Sequence, residues 1–348
     1  MRSILKHTVL PLVFIPTLCF TQLKDQYFVS TEDPNLPRDF YFQGEYTGQA
    51  YGAQVIALGR SNFQTVLYQG GLPGAGWNEQ NRSLLTGILV ENTVILKTAT
   101  GKREYLTSDN EKFSATKIFP PYGQSFFSGS IENQIMTLIG NDGTKLHLEK
   151  IERESPTLDK KGPENCLTLF DGSNKSEWVG GRLDSKTKLL NTDGKSILTK
   201  RSFNDYHLHL EFMLPFVPNA RGQARGNSGL YHVDMYENQI LDSFGLEGLN
   251  NECGGIYSFQ KSLVNACFPP LTWQTYDIEF VNARVTDGQK VSNARITAKL
   301  NGILIHDGVE IPSKTGGSRS GPEGTPGPIK LQGHKNSLQF RNIWIIEK

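Results

Sequence analysis

From about residue 40 to the C-terminus, short apolar runs follow one another, each closed by glycine, proline, asparagine or aspartate. No stretch sustains a helical period. The 348 residues include 35 glycines and 17 prolines, residues that break helices and set turns. Runs such as Ala53–Leu58, Phe63–Tyr68, Thr93–Lys97, Phe126–Ile131, Gln134–Ile139 and Lys145–Lys150 are strand-length and apolar or alternating,. Asn141-Asp142-Gly143 and Asn301-Gly302 supply the positive-φ residues that tight hairpin turns demand,. The pattern predicts an all-β chain.

Before these runs, Arg2 and Lys6 lead into an apolar stretch from Val9 to Phe20. It falls short of the roughly 20 residues that a spanning helix needs, and fits a cleaved secretory signal over residues 1–21. Leu18 before Cys19 argues against a lipid anchor, which favours a small residue there. The chain is therefore expected to be exported, periplasmic or extracellular, without a membrane span. A net charge of +1 with no basic run argues against nucleic acid as a partner.

Composition divides the remainder. Residues 38–151 read as a small β domain of unknown role, 152–164 as a polar linker with almost no apolar residue, and 165–348 as a second domain. The second domain carries strands at Ser196–Thr199, Tyr206–Leu214, Ser228–Met235, Gln274–Val281, Ala294–Leu300, Ile303–His306 and Ile329–Gln332. Many antiparallel strands with distant partners predict a two-sheet sandwich or jelly roll. Cys253 and Cys267 enclose a short segment, and in an oxidising compartment they are a candidate disulfide. Cys166 is left as a free thiol.

Strand alternation sorts the chemistry. His207, His209 and Glu211 share one face of their strand, which reads either as a solvated outer face or as a metal-ligand set. In the stretch Asn227-Ser228-Gly229-Leu230-Tyr231 and onward, Tyr231, Val233, Met235, Glu237 and Gln239 share a face if the strand runs unbroken. Glu237 lies among Met, Tyr, Ile and Leu residues, where desolvation raises a carboxylate pKa and suits it to general base work. Arg225 stands in a glycine-rich loop, either as an oxyanion-stabilising arginine or as a plain surface one. Lys330, Gln332 and His334 share a face near the C-terminus. Glu237 and Asp242 are five apart and point to opposite faces of a regular strand, which disfavours the paired carboxylates of ordinary glycosidases.

These pieces together resemble the 3-keto-disaccharide hydrolase domain family, with its concanavalin A-like jelly-roll fold. The resemblance runs in order through Leu169-Phe170-Asp171-Gly172, Trp178, Gly226–Tyr231, Tyr236–Asp242, Gly255-Ile256-Tyr257, Pro270, Trp273, Asn301-Gly302, Gly327–His334 and Phe340–Ile343. Gly333 departs from an acidic residue that often precedes the histidine, and the segment from Glu252-Cys253 to Cys267 is an insert. The resemblance implies cleavage of 3-keto-glycosides, made available by a separate sugar 3-oxidoreductase. It implies Glu237 or His334 as the base, with Arg225 or a bound divalent cation stabilising the enolate. Asn227, Gln239, Asp242, Tyr257, Trp273 and Gln332 would bind the sugar. The alternatives are a non-catalytic carbohydrate-binding jelly roll and a conventional two-carboxylate hydrolase.

Overall fold

A computed structural model describes residues 26–348; the signal segment, its cleavage site and Cys19 lie outside them. Among the described residues no helix is long and apolar enough to cross a membrane.

The N-terminal runs close into an eight-stranded barrel. Its order is Gly44–Gly48, Lys145–Ile151, Ile135–Gly140, Phe127–Glu132, Thr93–Thr98, Arg82–Val90, Asn62–Gln69 and Tyr51–Gly59, which returns to Gly44–Gly48. Two of these strands, Gly44–Gly48 and Arg82–Val90, are not evident in the sequence. The first holds two glycines and a glutamate, and Gly87 interrupts the apolar run of the second. A Cβ at Gly87 would come within 2.9 Å of Leu96 and Val94, so the glycine admits their packing. Alternate residues fill the interior, with Ala53, Val55 and Ala57 from one strand meeting Phe63, Leu85, Val94, Met136 and Leu148. Tyr51–Gly59 reads as a continuous apolar run because its other face is also covered: Ile56 and Leu58 pack against Phe244 and Leu246 of the second domain.

The second domain is a sandwich. One sheet runs Arg182–Leu183, Leu190–Asn191, Gln339–Glu347, Tyr206–Met213, Trp273–Val281, Ala294–Leu300 and Ile303–Ile311, with Leu167–Phe170 also paired to Gln339–Glu347. The other runs Trp178–Val179, Ile197–Thr199, Lys330–Leu331, Asn227–His232 and Tyr236–Leu241. Between them lies a core that includes Leu208, Leu210, Phe212, Leu230, Tyr236, Ile240, Ile278, Phe280, Leu331 and Phe340.

Three expectations change. The stretch Ser228–Met235 is not one strand: Val233 and Asp234 take φ of 46° and 55°, and the chain reverses into a hairpin. The outer face of Tyr206–Met213 is not solvated, for His209 and Glu211 are fully buried. The polar segment after Ile151 covers them. Thr157 Oγ1 donates to Asp277 (2.6 Å), Asp159 N–H donates to Glu211 (2.6 Å), and His209 Nδ1 lies 2.8 Å from Asp277. His209 also stacks on Trp344 with ring centres 5.1 Å apart. The polar composition of residues 152–164 thus reflects partners on the sheet. Finally, Cys253 and Cys267 are unbridged, neighbouring thiols in the core. Cys267 instead donates to the carbonyls of Phe268 (3.4 Å) and Leu241 (3.5 Å).

Candidate active site

On the outer face of the five-stranded sheet, a cavity of about 310 Å³ is lined by Gln223, Asn227, Tyr231, Glu237, Gln239, Tyr257, Gly316, Gly317, Gln332 and His334. The hairpin builds its floor. Register pairs Tyr231 with Glu237 and Gly229 with Gln239, so all four positions face the same side. Paired residue numbers sum to an even value, so the hairpin preserves the parity that an unbroken strand would have had. The face assignment therefore holds for Tyr231, Glu237 and Gln239, whereas Val233 and Met235, at the turn, pack into the core instead.

Glu237 is the buried acid of this cavity, only 2% exposed. The Tyr231 hydroxyl lies 2.7 Å from its Oε2 and 2.9 Å from the Gly316 carbonyl, and accepts a hydrogen bond from Gln332 Nε2 (3.2 Å). Burial pushes the Glu237 pKa up to about 7, opposed by the Tyr231 hydrogen bond and the Lys330 charge,. Lys330 Nζ sits 3.9 Å from the Tyr231 ring centre, pairs with Asp234 and donates to the Gly317 carbonyl (2.7 Å). One phenolic proton faces two acceptors. When Glu237 carries a proton it can donate to Tyr231, which then donates to Gly316, so both protonation states are fully hydrogen-bonded. Gly229 makes room for the acid: a Cβ there would meet Glu237 Oε1 at 2.1 Å.

Amides complete the wall. Gln239 Nε2 donates to Gln223 Oε1 (3.2 Å), and Asn227 Nδ2 donates to Gln223 O (2.8 Å) and Oε1 (3.1 Å). Asn227 Oδ1 is buried without a hydrogen-bond partner among the described residues. A buried acceptor left unpaired is costly, and a sugar hydroxyl would satisfy it. His334, partly buried, has its pKa lowered by burial and by Lys335, so its imidazole is neutral near pH 7.

Of the residues read from the sequence, Glu237, His334, Asn227, Gln239, Tyr257 and Gln332 line this cavity, whereas Arg225, Asp242 and Trp273 do not. Arg225 Nε lies 3.1 Å from Asp242 Oδ2, both fully or nearly fully buried, and its Nη2 reaches the barrel carbonyl of Ala57 (3.4 Å). Asp242 stands five residues beyond Glu237 and so faces the opposite side. Trp273 lies under the Arg341 guanidinium, 4.3 Å from the ring centre, and borders clefts elsewhere. Sequence reasoning missed Gln223, Thr315, Gly316 and Gly317. Thr315 Oγ1 accepts the Glu237 N–H (2.9 Å). These residues sit in irregular loops, where no alternation marks a facing direction. Among the described residues no set of three histidine, cysteine or acidic side chains is arranged to hold a metal; Glu237 and His334 are the ionisable groups of the cavity wall other than tyrosines.

A two-sheet β-sandwich with a polar cavity on its sheet face, floored by a high-pKa acid and walled by amides, is the architecture of a carbohydrate-active protein. Residues 166–346 match the 3-keto-alpha-glucoside-1,2-lyase-like domain, and the chain belongs to that family. A crystal structure from Parabacteroides distasonis ATCC 8503, provisionally described as a glycosyl hydrolase, is 28% identical with a TM-score of 0.50. The match covers 57% of this chain and 93% of that one. A second structure from the same organism, described in the same way, is 22% identical, with a TM-score of 0.38 over 53% of this chain and 99% of that one. A search of curated proteins found no match.

Proposed function

We propose that the cavity cleaves 3-keto-glycosides by elimination followed by hydration. The observation that carries this reading is one buried carboxylate, Glu237, poised near neutral pH without a second carboxylate in the cavity wall. Ordinary glycoside hydrolysis needs an acidic pair, whereas a sugar bearing a ketone at C3 needs one good base, because the ketone acidifies the C2 proton.

In this reading Glu237 takes the C2 proton and the C2–H electron pair moves into an enolate with its charge on the C3 oxygen. The second amide proton of Gln332 Nε2, the first being given to Tyr231, stabilises that charge. Collapse of the enolate forms the C1–C2 double bond and breaks the C1–O bond, and the departing oxygen takes a proton from solvent water. Neutral His334 hydrogen-bonds the departing group and then accepts a proton from the water that adds at C1, while Glu237, whose proton has exchanged with solvent, protonates C2, and His334 returns its proton to solvent. Asn227 Oδ1, Gln239 and Tyr257 hold the sugar hydroxyls and ring. The ketone must come from a prior oxidation at C3, so a sugar 3-oxidoreductase supplies the substrate, and the reaction runs outside the cytoplasm.

The test is incubation with a 3-keto-glucoside and with its unoxidised parent, followed by mass spectrometry. Release of the aglycone from the keto sugar alone supports the reading. Tight binding of unoxidised glycans with no turnover of any keto-glycoside would replace it with a carbohydrate-binding role.

A further inference from the structure

The barrel touches both loops that wall the cavity, and both contacts converge on one side chain. Arg221, just before the turn Gly222–Ala224, is mostly buried with no carboxylate among its hydrogen-bond partners. Its guanidinium donates to the carbonyls of Pro218 (2.7 Å) and Ala220 (2.6 Å), to the barrel carbonyl of Leu58 (2.6 Å), and to Asn110 of the barrel's Thr98–Phe127 excursion. It also lies 5.4 Å from the ring centre of Phe113 in the same excursion. Gly222, at φ +51°, approaches Leu106 so closely that a Cβ would lie 3.3 Å from its Cδ1.

The second contact is Tyr105, whose hydroxyl donates to Glu252. Glu252 in turn accepts the N–H groups of Gly248 (2.6 Å) and Leu249 (3.0 Å), fixing the loop that carries Asn251. The Asn251 carbonyl accepts from Gln223 Nε2 (2.7 Å). Gln223 is thus held through the adjoining backbone, which Arg221 anchors two residues earlier, and from its side-chain nitrogen by the Tyr105–Glu252 loop. Its oxygen is left to orient Asn227 and Gln239 (3.1 and 3.2 Å).

We infer that the N-terminal barrel is a working part of the sugar site, with Arg221 and Tyr105 as positioning residues that act through Gln223 to set substrate affinity. Four neutral oxygens around a partly buried guanidinium form a demanding arrangement: loss of the arginine loosens residues 218–223, while Arg225 keeps its contact with the Ala57 carbonyl at the far end of the loop. Leu58, Asn110, Tyr105, Leu106 and Phe113 all lie outside the segment that matches the family. The sandwich therefore meets the sugar with a wall braced by a domain outside that match.

This inference builds on the proposed reaction, and its test separates the two. The full-length chain is compared with Arg221→Met, Tyr105→Phe, Gln223→Ala and the double variant Arg221→Met/Gln223→Ala. With a 3-keto-glucoside, Arg221→Met raises KM about tenfold with kcat within about twofold. The double variant is no worse than Gln223→Ala alone, because the arginine acts through that side chain. Multiplicative losses in the double variant, or an unchanged KM in a folded Arg221→Met protein, would overturn the inference. If the wild type turns over no keto-glycoside, hydrogen exchange still decides. Arg221→Met must deprotect residues 218–225 while the strands Asn227–His232 and Tyr236–Leu241 stay protected, and unaltered exchange in the loop contradicts the brace.

Discussion

Tyr231 and Glu237 are direct cross-strand partners, and the phenol oxygen lies 2.7 Å from the carboxylate Oε2. The pair sets the chemistry of the cavity. Burial drives Glu237 toward the protonated form, and the Tyr231 hydrogen bond and Lys330 charge pull it back, leaving it near pH 7.

The first consequence is a pH profile. In the proposed reaction Glu237 must be ionised to act as the base, so kcat/KM is expected to rise with pH through about 7. Tyr231→Phe removes a hydrogen bond that stabilises the carboxylate, so the rising limb moves to higher pH. A pH–rate series on both proteins checks this; a limb that stays in place would show that the phenol does not tune Glu237.

Stability carries the same signature with a defined sign. Between its ordinary value of 4.5 and about 7, Glu237 holds a proton in the folded chain that the unfolded chain has released. Stability therefore falls as pH rises through that window. Glu237→Gln removes the effect, and should be more stable than the wild type at pH 8 by up to about 3 kcal/mol, with the difference gone below pH 4.5. Urea unfolding at the two pH values measures it.

Gly229 is the glycine whose replacement bears most directly on Glu237. An alanine Cβ would overlap Glu237 Oε1, displacing the carboxylate from Tyr231 or shifting the hairpin. Gly229→Ala is expected to cost about 1–3 kcal/mol and most of the activity, read by thermal unfolding and turnover together.

In the proposed reaction His334 serves the later step. His334→Ala should slow hydration more than elimination, so the unsaturated keto sugar accumulates and is visible by its enone absorbance. Equal slowing of aglycone release and of final product would assign His334 to the first step instead.

Alternation made the sandwich and the facing of Glu237, Gln239 and Gln332 legible in the sequence, while the family resemblance supplied Asn227 and Tyr257. Glu237, Gln239 and Asn227 lie on strands, and Gln332 just beyond one, so their facing follows from residue parity, which the turn at Val233-Asp234 preserves for the hairpin strands while sending Val233 and Met235 into the core. Arg225 and Trp273 were misplaced for different reasons. Arg225 precedes its strand, where nothing in the sequence distinguishes a loop over the cavity from one packed on a barrel. Trp273 opens a strand of the opposite sheet, and its ring is taken by Arg341. The barrel itself was only partly visible, since closure depends on Gly44–Gly48 and the glycine-interrupted Arg82–Val90. The segment from Glu152 to Glu164 looked like a linker because its partners, His209, Glu211 and Asp277, are buried polar groups on a distant sheet.

The most direct test of the central claim is exchange at C2. A 3-keto-glucoside is incubated in D₂O with the wild type and with Glu237→Gln, and the sugar product is examined by NMR. The reading predicts deuterium at C2 with the wild type and no exchange or turnover with Glu237→Gln, which still binds the sugar. Aglycone release by the wild type with C2 fully protonated would contradict it.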